Sequence, residues 1–225
     1  MLGDDKVSQR LMIVVILISI LLLGSCQIGK EKTNETESEK LPNVEAFNDE
    51  YTRDFLLSEE EVMDGFYPFQ SKTGKYEMAF PAEGIIVEQA YRIKDSKSEE
   101  VSIGLHDERG FGMDIFFFSY YTPEDREGIL RRFKSRLGYD GEFEEIEKLD
   151  KTIYFVPMED DELKTYGAYI ENKQNSGGLE VVYNIKCDNE DEQICEDYKE
   201  EDKAKALKWM DSFTFINDKG VESDE

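Results

Sequence analysis

The chain has 225 residues and carries 52 acidic against 27 basic side chains, for a formal net charge of −25. An acidic surface repels polyanions, which argues against nucleic acid as a partner and against docking on anionic lipid through a basic patch. Residues 44–217 have the length of one soluble domain that can bury a substantial core.

A short apolar segment near the N-terminus ends in a cysteine. Residues 11–23 contain only Ser19 as a polar residue, and Gly24 and Ser25 separate them from Cys26. A helix that crosses a bilayer needs about 20 apolar residues, so this segment is too short for a good permanent span. Basic residues before a short apolar stretch and small residues after it are typical of a signal peptide.

The segment from Met1 to Cys26 resembles the lipobox signal of bacterial lipoproteins. The resemblance implies that residues 1–25 are removed and that a diacylglyceryl group is attached to the sulfur of Cys26. Two acyl chains give stable anchoring, whereas one chain binds only marginally. We therefore expect the protein on the outer face of the cytoplasmic membrane, in a cell of the Gram-positive type. An uncleaved anchor and an ordinary secretory signal are the alternatives, and both would still export the domain.

Polar segments flank the expected domain on both sides. Residues 26–43 are charged and polar apart from Ile28 and Leu41, so they cannot bury enough apolar area to order themselves. We expect them to form a tether between the lipid and the domain, and residues 218–225 to form a disordered acidic tail.

The first half of the domain predicts a helix followed by strands. Apolar residues at 44, 47, 51 and 55 recur at three- and four-residue steps and predict a docking helix. Residues 75–80 and 85–93 are strand candidates, and residues 100–106 and 111–121 predict a hairpin because Gly and Asp at 107–110 suit its turn. The aromatic run at 116–121 favours a central strand with both faces covered over a patch that stacks a ligand.

A helix over residues 123–137 interrupts the strands. Thr122 is the expected N-cap, Pro123 occupies the first helical position and Gly138 ends the helix. Its polar face carries a basic cluster that contrasts with the acidic chain: Arg126, Arg131, Arg132, Lys134 and Arg136. Arg131, Arg132 and Arg136 are candidates for binding a carboxylate or phosphate group of a partner, although basic residues also simply stabilise the C-terminal end of a helix.

The second half predicts four strands, a helix and a closing strand, which together give a single-domain α+β fold with an antiparallel sheet. The strands are residues 143–147, 152–157, 163–170 and 179–186, and the helix is residues 202–211. The motif G-K-Y-x-M-x-F-P from Gly74 to Pro81 and the motif S-F-x-F from Ser212 to Phe215 resemble those of the PsbP-like fold. That resemblance implies a non-catalytic accessory or assembly module.

Cys187 and Cys195 are the two cysteines that lipidation leaves free. In an exported protein such a pair is more readily a disulfide than a metal site, although two free thiols are the alternative. A closed zinc site would need four ligands, and His106 is the only histidine in the chain. Asp188, Glu190 and Glu192 alternate within the same loop and could bind Ca²⁺, but a solvated acidic loop fits them as well.

Three functional hypotheses follow. The first is a lipid-anchored, non-enzymatic binding or accessory module that contacts another component of the cell envelope and uses no cofactor. The second is a Ca²⁺-responsive protein that binds a small ligand. The third is a small hydrolase with paired carboxylates, whose required separation of about 5 to 10 Å a sequence does not reveal.

Overall fold

An eight-stranded antiparallel sheet is the largest element of the structure, a computed structural model that describes residues 41–106, 110–159, 163–186 and 199–217. Strand β5 pairs on one side with β6 and on the other with two short strands, β3 and β4, after which the order continues β6-β10-β9-β8-β7. The bounds are β3 Gly84–Ile86, β4 Arg92–Lys94, β5 Ser98–Leu105, β6 Gly110–Phe118, β7 Glu144–Glu147, β8 Lys151–Glu159, β9 Leu163–Asn172 and β10 Gly178–Lys186.

A smaller antiparallel sheet has the order β1-β2-β11, with β1 at Phe66–Gln70, β2 at Tyr76–Pro81 and β11 at Thr214–Phe215. The closing strand thus pairs with β2, as Thr214 lies opposite Glu77 and Phe215 opposite Tyr76. The helices are α1 Glu45–Asn48, α2 Glu50–Arg53, α3 Arg126–Leu137 and α4 Lys199–Asp211, with 3-10 turns at Glu88–Ala90 and Pro123–Asp125.

The main core lies between one face of the large sheet and a layer formed by the small sheet and α4. Alternate residues of the central strands point into it, including Ile115 and Phe117 from β6 and Val181 from β10. Trp209 and Met210 of α4 fill the opposite side. The two-residue periodicity of the strands decides which side chains enter this core, and the others lie on the outer face of the large sheet.

Buried Lys151 fixes the end of α4 to the large sheet. Its Nζ donates hydrogen bonds to the carbonyl oxygens of Asp211 and Phe213, the latter at 2.7 Å. These carbonyls lie at and just beyond the C-terminal end of the helix, where backbone acceptors lack partners within the helix. A lysine there neutralises the negative end of the helix dipole and holds the closing strand in place.

The predicted α+β architecture is confirmed, with two local corrections. The single helix expected near residues 44–55 is split into α1 and α2 because the side chain of Asp49 accepts a hydrogen bond from the amide of Thr52 and so begins a second helix. The strand expected at 85–93 is two short strands separated by the turn at Glu88–Ala90.

Several predictions concern segments outside the described residues. These are the signal peptide and Cys26, the tether up to residue 40, Cys187 and Cys195, the acidic loop residues Asp188, Glu190 and Glu192, and the tail at 218–225. They stay predictions. No helix within the described ranges is long and apolar enough to cross a membrane.

Candidate docking site

Helix α3 packs on the outer face of the large sheet and forms one side of the candidate site. Gly167 of β9 makes the close approach possible, because a Cβ atom there would lie 2.8 Å from Cδ1 of Leu137 and 3.3 Å from Cζ of Phe133. Ile129 and Phe133 of the helix pack on Tyr154 and Tyr169 of the sheet. The apolar stripe predicted for this helix is therefore its sheet-facing side.

Two arginines of α3 bind buried carboxylates of the sheet. The guanidinium of Arg126 donates three hydrogen bonds of 2.8 to 3.1 Å to the carboxylate of Glu171, and this interaction raises the pKa of Arg126. Arg136 forms an ion pair with Glu180, whose side chain is 3% exposed. The hydroxyl of Tyr121 donates a second bond to Glu180 at 2.9 Å. These contacts hold both ends of the helix on the sheet.

The predicted basic cluster is consequently divided between arginines that bind the sheet and arginines that do not, and the partner contacts expected of Arg131, Arg132 and Arg136 stay a prediction. Arg126 and Arg136 are committed to the sheet, although the side chain of Arg136 remains 41% exposed. Arg131 and Arg132 are exposed, and neither forms a salt bridge with a carboxylate in the part of the chain that the structure describes. An added Cβ on Gly128 would lie 3.4 Å from Nη1 of Arg132 and 3.9 Å from Nη2 of Arg131, so both guanidinium groups lie over this glycine.

The aromatic run beside α3 has two different environments. Phe117 is buried in the main core, as predicted for a central strand, whereas Phe116 and Phe118 lie on the outer face and are only partly covered. Phe118 stacks on Tyr121 at a centroid distance of 4.6 Å, and Tyr120, which is 58% exposed, contacts both rings. The covering expected on both faces is incomplete because α3 lies over β8, β9 and β10 and stops beside β6.

A hollow of about 470 Å³ occupies the uncovered part of this outer face. Phe116 and Phe118 form its floor, and β4 borders it on the side away from α3 with the exposed residues Arg92 and Lys94, which pair with Glu100 and Ser98 of β5. On the other side the guanidinium of Arg136 lies 4.7 Å from the ring centre of Phe116, and that of Arg132 lies 5.9 Å from Tyr121. We call this hollow, together with Tyr120 and with Arg131, Arg132 and Arg136 of α3, the aromatic shelf.

Arg92 and Lys94 are site residues that sequence reasoning missed. They lie 34 and 32 residues, respectively, before the start of α3. Arg92 falls within the strand predicted at 85–93, and Lys94 follows it directly. The pairing of β4 with β5, and of β5 with β6, brings them beside Phe116. The periodicity of residues 85–93 does not predict that Arg92 and Lys94 lie near Phe116, because this proximity depends on the order of the strands in the sheet.

Because several tyrosines are buried under α3, we expect the protein to lose folding stability at alkaline pH. Burial raises the pKa of Tyr154 from 10.0 to about 12, with Glu171 adding to the shift, and burial also raises the pKa of Tyr169 and Tyr121. The unfolded chain therefore releases tyrosine protons that the folded chain keeps. The stabilisation is complete below pH 10.0 and should be lost as the pH rises toward about 12.

Urea unfolding followed across this pH range, with tyrosinate absorbance as a second signal, would measure the effect. Tyr154→Phe removes one of the buried hydroxyls, so its stability should fall less steeply with pH than that of the unmodified protein. Parallel curves for the two proteins would contradict the assignment.

Two further cavities lie elsewhere in the described part of the chain. One, of about 240 Å³, is bounded by Phe66, Pro81 and Met113 with Lys205 at its edge. The other, of about 200 Å³, lies where the β9–β10 turn meets the residues after β11. There Asn172 and Asn175 both donate hydrogen bonds to Oδ1 of Asn217, which ties the C-terminal strand to this turn.

The remaining candidate groups are not brought together. His106 is exposed, and its backbone amide donates to the carbonyl of Glu83. Glu99 is buried but accepts hydrogen bonds from the amide of Lys72, the hydroxyl of Thr73 and the hydroxyl of Tyr91, which makes it a structural anchor. The described residues contain no group of three or more His, Cys, Asp or Glu side chains that could hold a metal ion.

Comparison with known proteins identifies the family of this chain. A Bacillus subtilis protein named putative lipoprotein YvcA is 25% identical over 238 residues, which cover 94% of this chain and 98% of that protein. The crystal structure of the Ran-binding protein Mog1p of Saccharomyces cerevisiae covers 68% of this chain and 96% of its own, at 12% identity and a TM-score of 0.45. A Bacteroides thetaiotaomicron structure covers 69% of this chain and 50% of its own, at 9% identity and a TM-score of 0.42.

At these identities and TM-scores the two structures say nothing about the partners or activity of this chain. The PsbP-like fold expected from the two short motifs is not shown by these comparisons. The family model named YvcA_Mog1p, with the description "Putative lipoprotein YvcA", matches residues 42–214 and thus nearly the whole described domain. The chain therefore belongs to the YvcA_Mog1p family of lipoproteins.

Proposed function

We propose that the protein is a lipid-anchored, non-enzymatic binding module on the outer face of a bacterial cytoplasmic membrane, where it docks a segment of another envelope protein on the aromatic shelf. The observation that carries the proposal is the shelf itself. It combines partly exposed aromatic rings with the exposed Arg131 and Arg132, which form no salt bridge among the described residues, on a chain whose net charge is −25. Aromatic and arginine side chains are enriched at protein interfaces.

The lipid anchor is supported by the family and by the extent of the match to the Bacillus subtilis lipoprotein. That match covers 94% of this chain and leaves fewer residues unmatched than the 25 that precede Cys26. The similarity therefore extends across the position of Cys26 and is not confined to the domain. A protein joined to two acyl chains at this residue would be held stably at the membrane.

Replacing Cys26 with Ala should release the protein from the membrane, because the sulfur that carries the diacylglyceryl group is removed. Fractionation of cells into membrane and soluble material, together with incorporation of labelled palmitate, measures the effect. Cys187→Ala is the matched control and should leave both the palmitate label and membrane retention unchanged. Retention of Cys26→Ala in the membrane without acylation would contradict the anchor.

Docking can be tested by photocrosslinking from the shelf. A photoreactive amino acid in place of Tyr120, which is 58% exposed, should capture one protein in native membranes. The same amino acid in place of exposed Lys208, which lies on α4 on the other side of the large sheet, is the control. A partner captured from position 120 and not from position 208, and lost in Cys26→Ala, supports the proposal. Equal capture from both positions argues against it.

The Ca²⁺ and hydrolase hypotheses gain no support from the described residues. The candidate ligands Asp188, Glu190 and Glu192 lie outside them. Among the buried carboxylates, Glu171 and Glu180 are engaged by arginines of α3. Both carboxylates are therefore held in structural contacts between α3 and the sheet.

A further inference from the structure

We infer that the aromatic shelf recognises an extended, acidic protein segment in which apolar side chains alternate with Asp or Glu. This inference rests on the proposed function and names the class of partner that the same surface takes. It concerns the chemistry of the bound segment and is independent of how the protein is anchored.

The charges around the hollow favour an acidic occupant. Exposed cationic residues lie on both sides of it. Arg92 and Lys94 of β4 line the hollow, although Arg92 also donates hydrogen bonds to the carbonyls of Gln89 and Tyr91. On α3, Arg132 lies 5.9 Å from the ring of Tyr121, and Arg131 lies next to it over Gly128. Two glutamates border the hollow, Glu99 and Glu100. Glu99 points into the core and is 2% exposed, so Glu100 supplies the carboxylate on the outer face. Among the outer-face residues that line the hollow, the basic Arg92 and Lys94 therefore outnumber the acidic Glu100.

The net charge of the rest of the molecule does not cancel this preference. At physiological ionic strength charges are screened over about 8 Å, so a segment lying in the hollow experiences mainly the groups that border it. Arg131 and Arg132 are the strongest candidates for carboxylate contacts, because their guanidinium groups lie side by side over Gly128 and can each bind a carboxylate in bidentate geometry.

The shape of the site favours a peptide over a membrane surface. The apolar floor of Phe116 and Phe118 lies beside α3, which packs on the same face of the sheet, so a flat layer of lipid headgroups would meet the helix first. An extended segment can enter, because its side chains alternate in direction. Apolar side chains on one side would contact the two phenylalanines, while acidic side chains would reach the flanking cations.

Binding of defined peptides to the full-length protein in non-ionic detergent tests the inference. The panel comprises labelled peptides in which Glu alternates with Phe in several registers, the same peptides with Lys in place of Glu, and the same peptides with Ala in place of Phe. Fluorescence polarisation should detect binding of the Glu/Phe peptides, with weaker binding when either component is replaced and at higher salt. Phosphatidylglycerol vesicles are included as an anionic surface without a peptide.

The variants identify the site. Arg131→Ala with Arg132→Ala should weaken peptide binding roughly tenfold, since two exposed charge contacts are lost. The corresponding double replacement by Lys should retain part of the affinity because it keeps the charge. Tyr120→Ser should also weaken binding, whereas Lys208→Ala, which removes one cation from the other side of the sheet, should have no effect.

Three outcomes would overturn the inference: no binding by any Glu/Phe peptide, equal binding of the Lys peptides, or binding that survives loss of Arg131 and Arg132. If vesicles bind in a manner that depends on the two arginines and no peptide binds, the occupant of the site is a lipid surface and not a peptide. Failure here is distinguishable from failure of the proposed function, because crosslinking from position 120 can still capture a partner of different chemistry.

Discussion

Trp209→Ala should lower the free energy of unfolding by about 3 to 5 kcal/mol, which would leave little of the stability of a domain of this size. Trp209 is fully buried where α4 meets the large sheet, and it contacts the rings of Phe213 and Tyr183 at centroid distances of 5.2 and 5.9 Å. Removing the indole opens a cavity between helix, sheet and closing strand. Urea unfolding of the full chain measures the loss.

Trp209→Phe is the matched control for this position. Nε1 of Trp209 has no hydrogen-bond partner among the described residues, so replacement by Phe removes a buried donor that forms no bond. We expect this variant to lower the free energy of unfolding by less than about 2 kcal/mol, since most of the apolar volume is kept. If Phe destabilised the protein as strongly as Ala, the indole nitrogen would have a role that the structure does not show.

Asp202→Ala should destabilise the fold by about 3 to 5 kcal/mol, because it removes the carboxylate that is paired with the buried ammonium group of Lys164. Nζ of Lys164 lies 3.4 Å from Oδ2 of Asp202, and the two side chains are 4% and 2% exposed. The pair joins β9 to the first turn of α4. Combining Lys164→Met with Asp202→Leu removes both charges and should recover much of the loss.

A second ion pair of α4 provides the control for this prediction. Nζ of Lys203 lies 2.9 Å from Oε2 of Glu144, but the side chains are 33% and 50% exposed. Water and salt screen such a pair, so Lys203→Ala should change stability by no more than about 1 kcal/mol. A similar loss for Asp202→Ala and Lys203→Ala would show that burial does not decide the energetics of these pairs.

Local patterns were sufficient to predict most of the secondary structure. The helix predicted at 123–137 is present as the turn Pro123–Asp125 and α3, and Gly138 ends it with a φ of 68° that favours glycine. Its N-terminal end differs in detail, because the side chain of Thr122 does not cap the helix. The strand at 85–93 was predicted less well, since apolar residues in a short segment do not show where a strand is interrupted.

The candidate site was only partly predictable. Arg131 and Arg132 could be proposed from the sequence because they stand on the polar side of an amphipathic helix. The different fate of Arg126 and Arg136 depends on Glu171 and Glu180, which lie more than 40 residues later in the chain. Long flexible side chains can reach a buried carboxylate at the edge of a helix interface, and a helical projection does not show where such a partner lies.

The sequence by itself determined the features that depend on neighbouring residues: the lipobox that predicts an exported lipoprotein, the acidic composition, and the alternation and helical periodicity that give an α+β domain. Tertiary structure alone decided which side of the aromatic run remains open. Phe116 is partly uncovered because α3 lies over the adjacent strands and ends its coverage at β6. Strand order then places Arg92 and Lys94 beside it. A surface assembled from β4, β6 and α3 depends on contacts between segments distant in sequence, and no local pattern encodes those contacts.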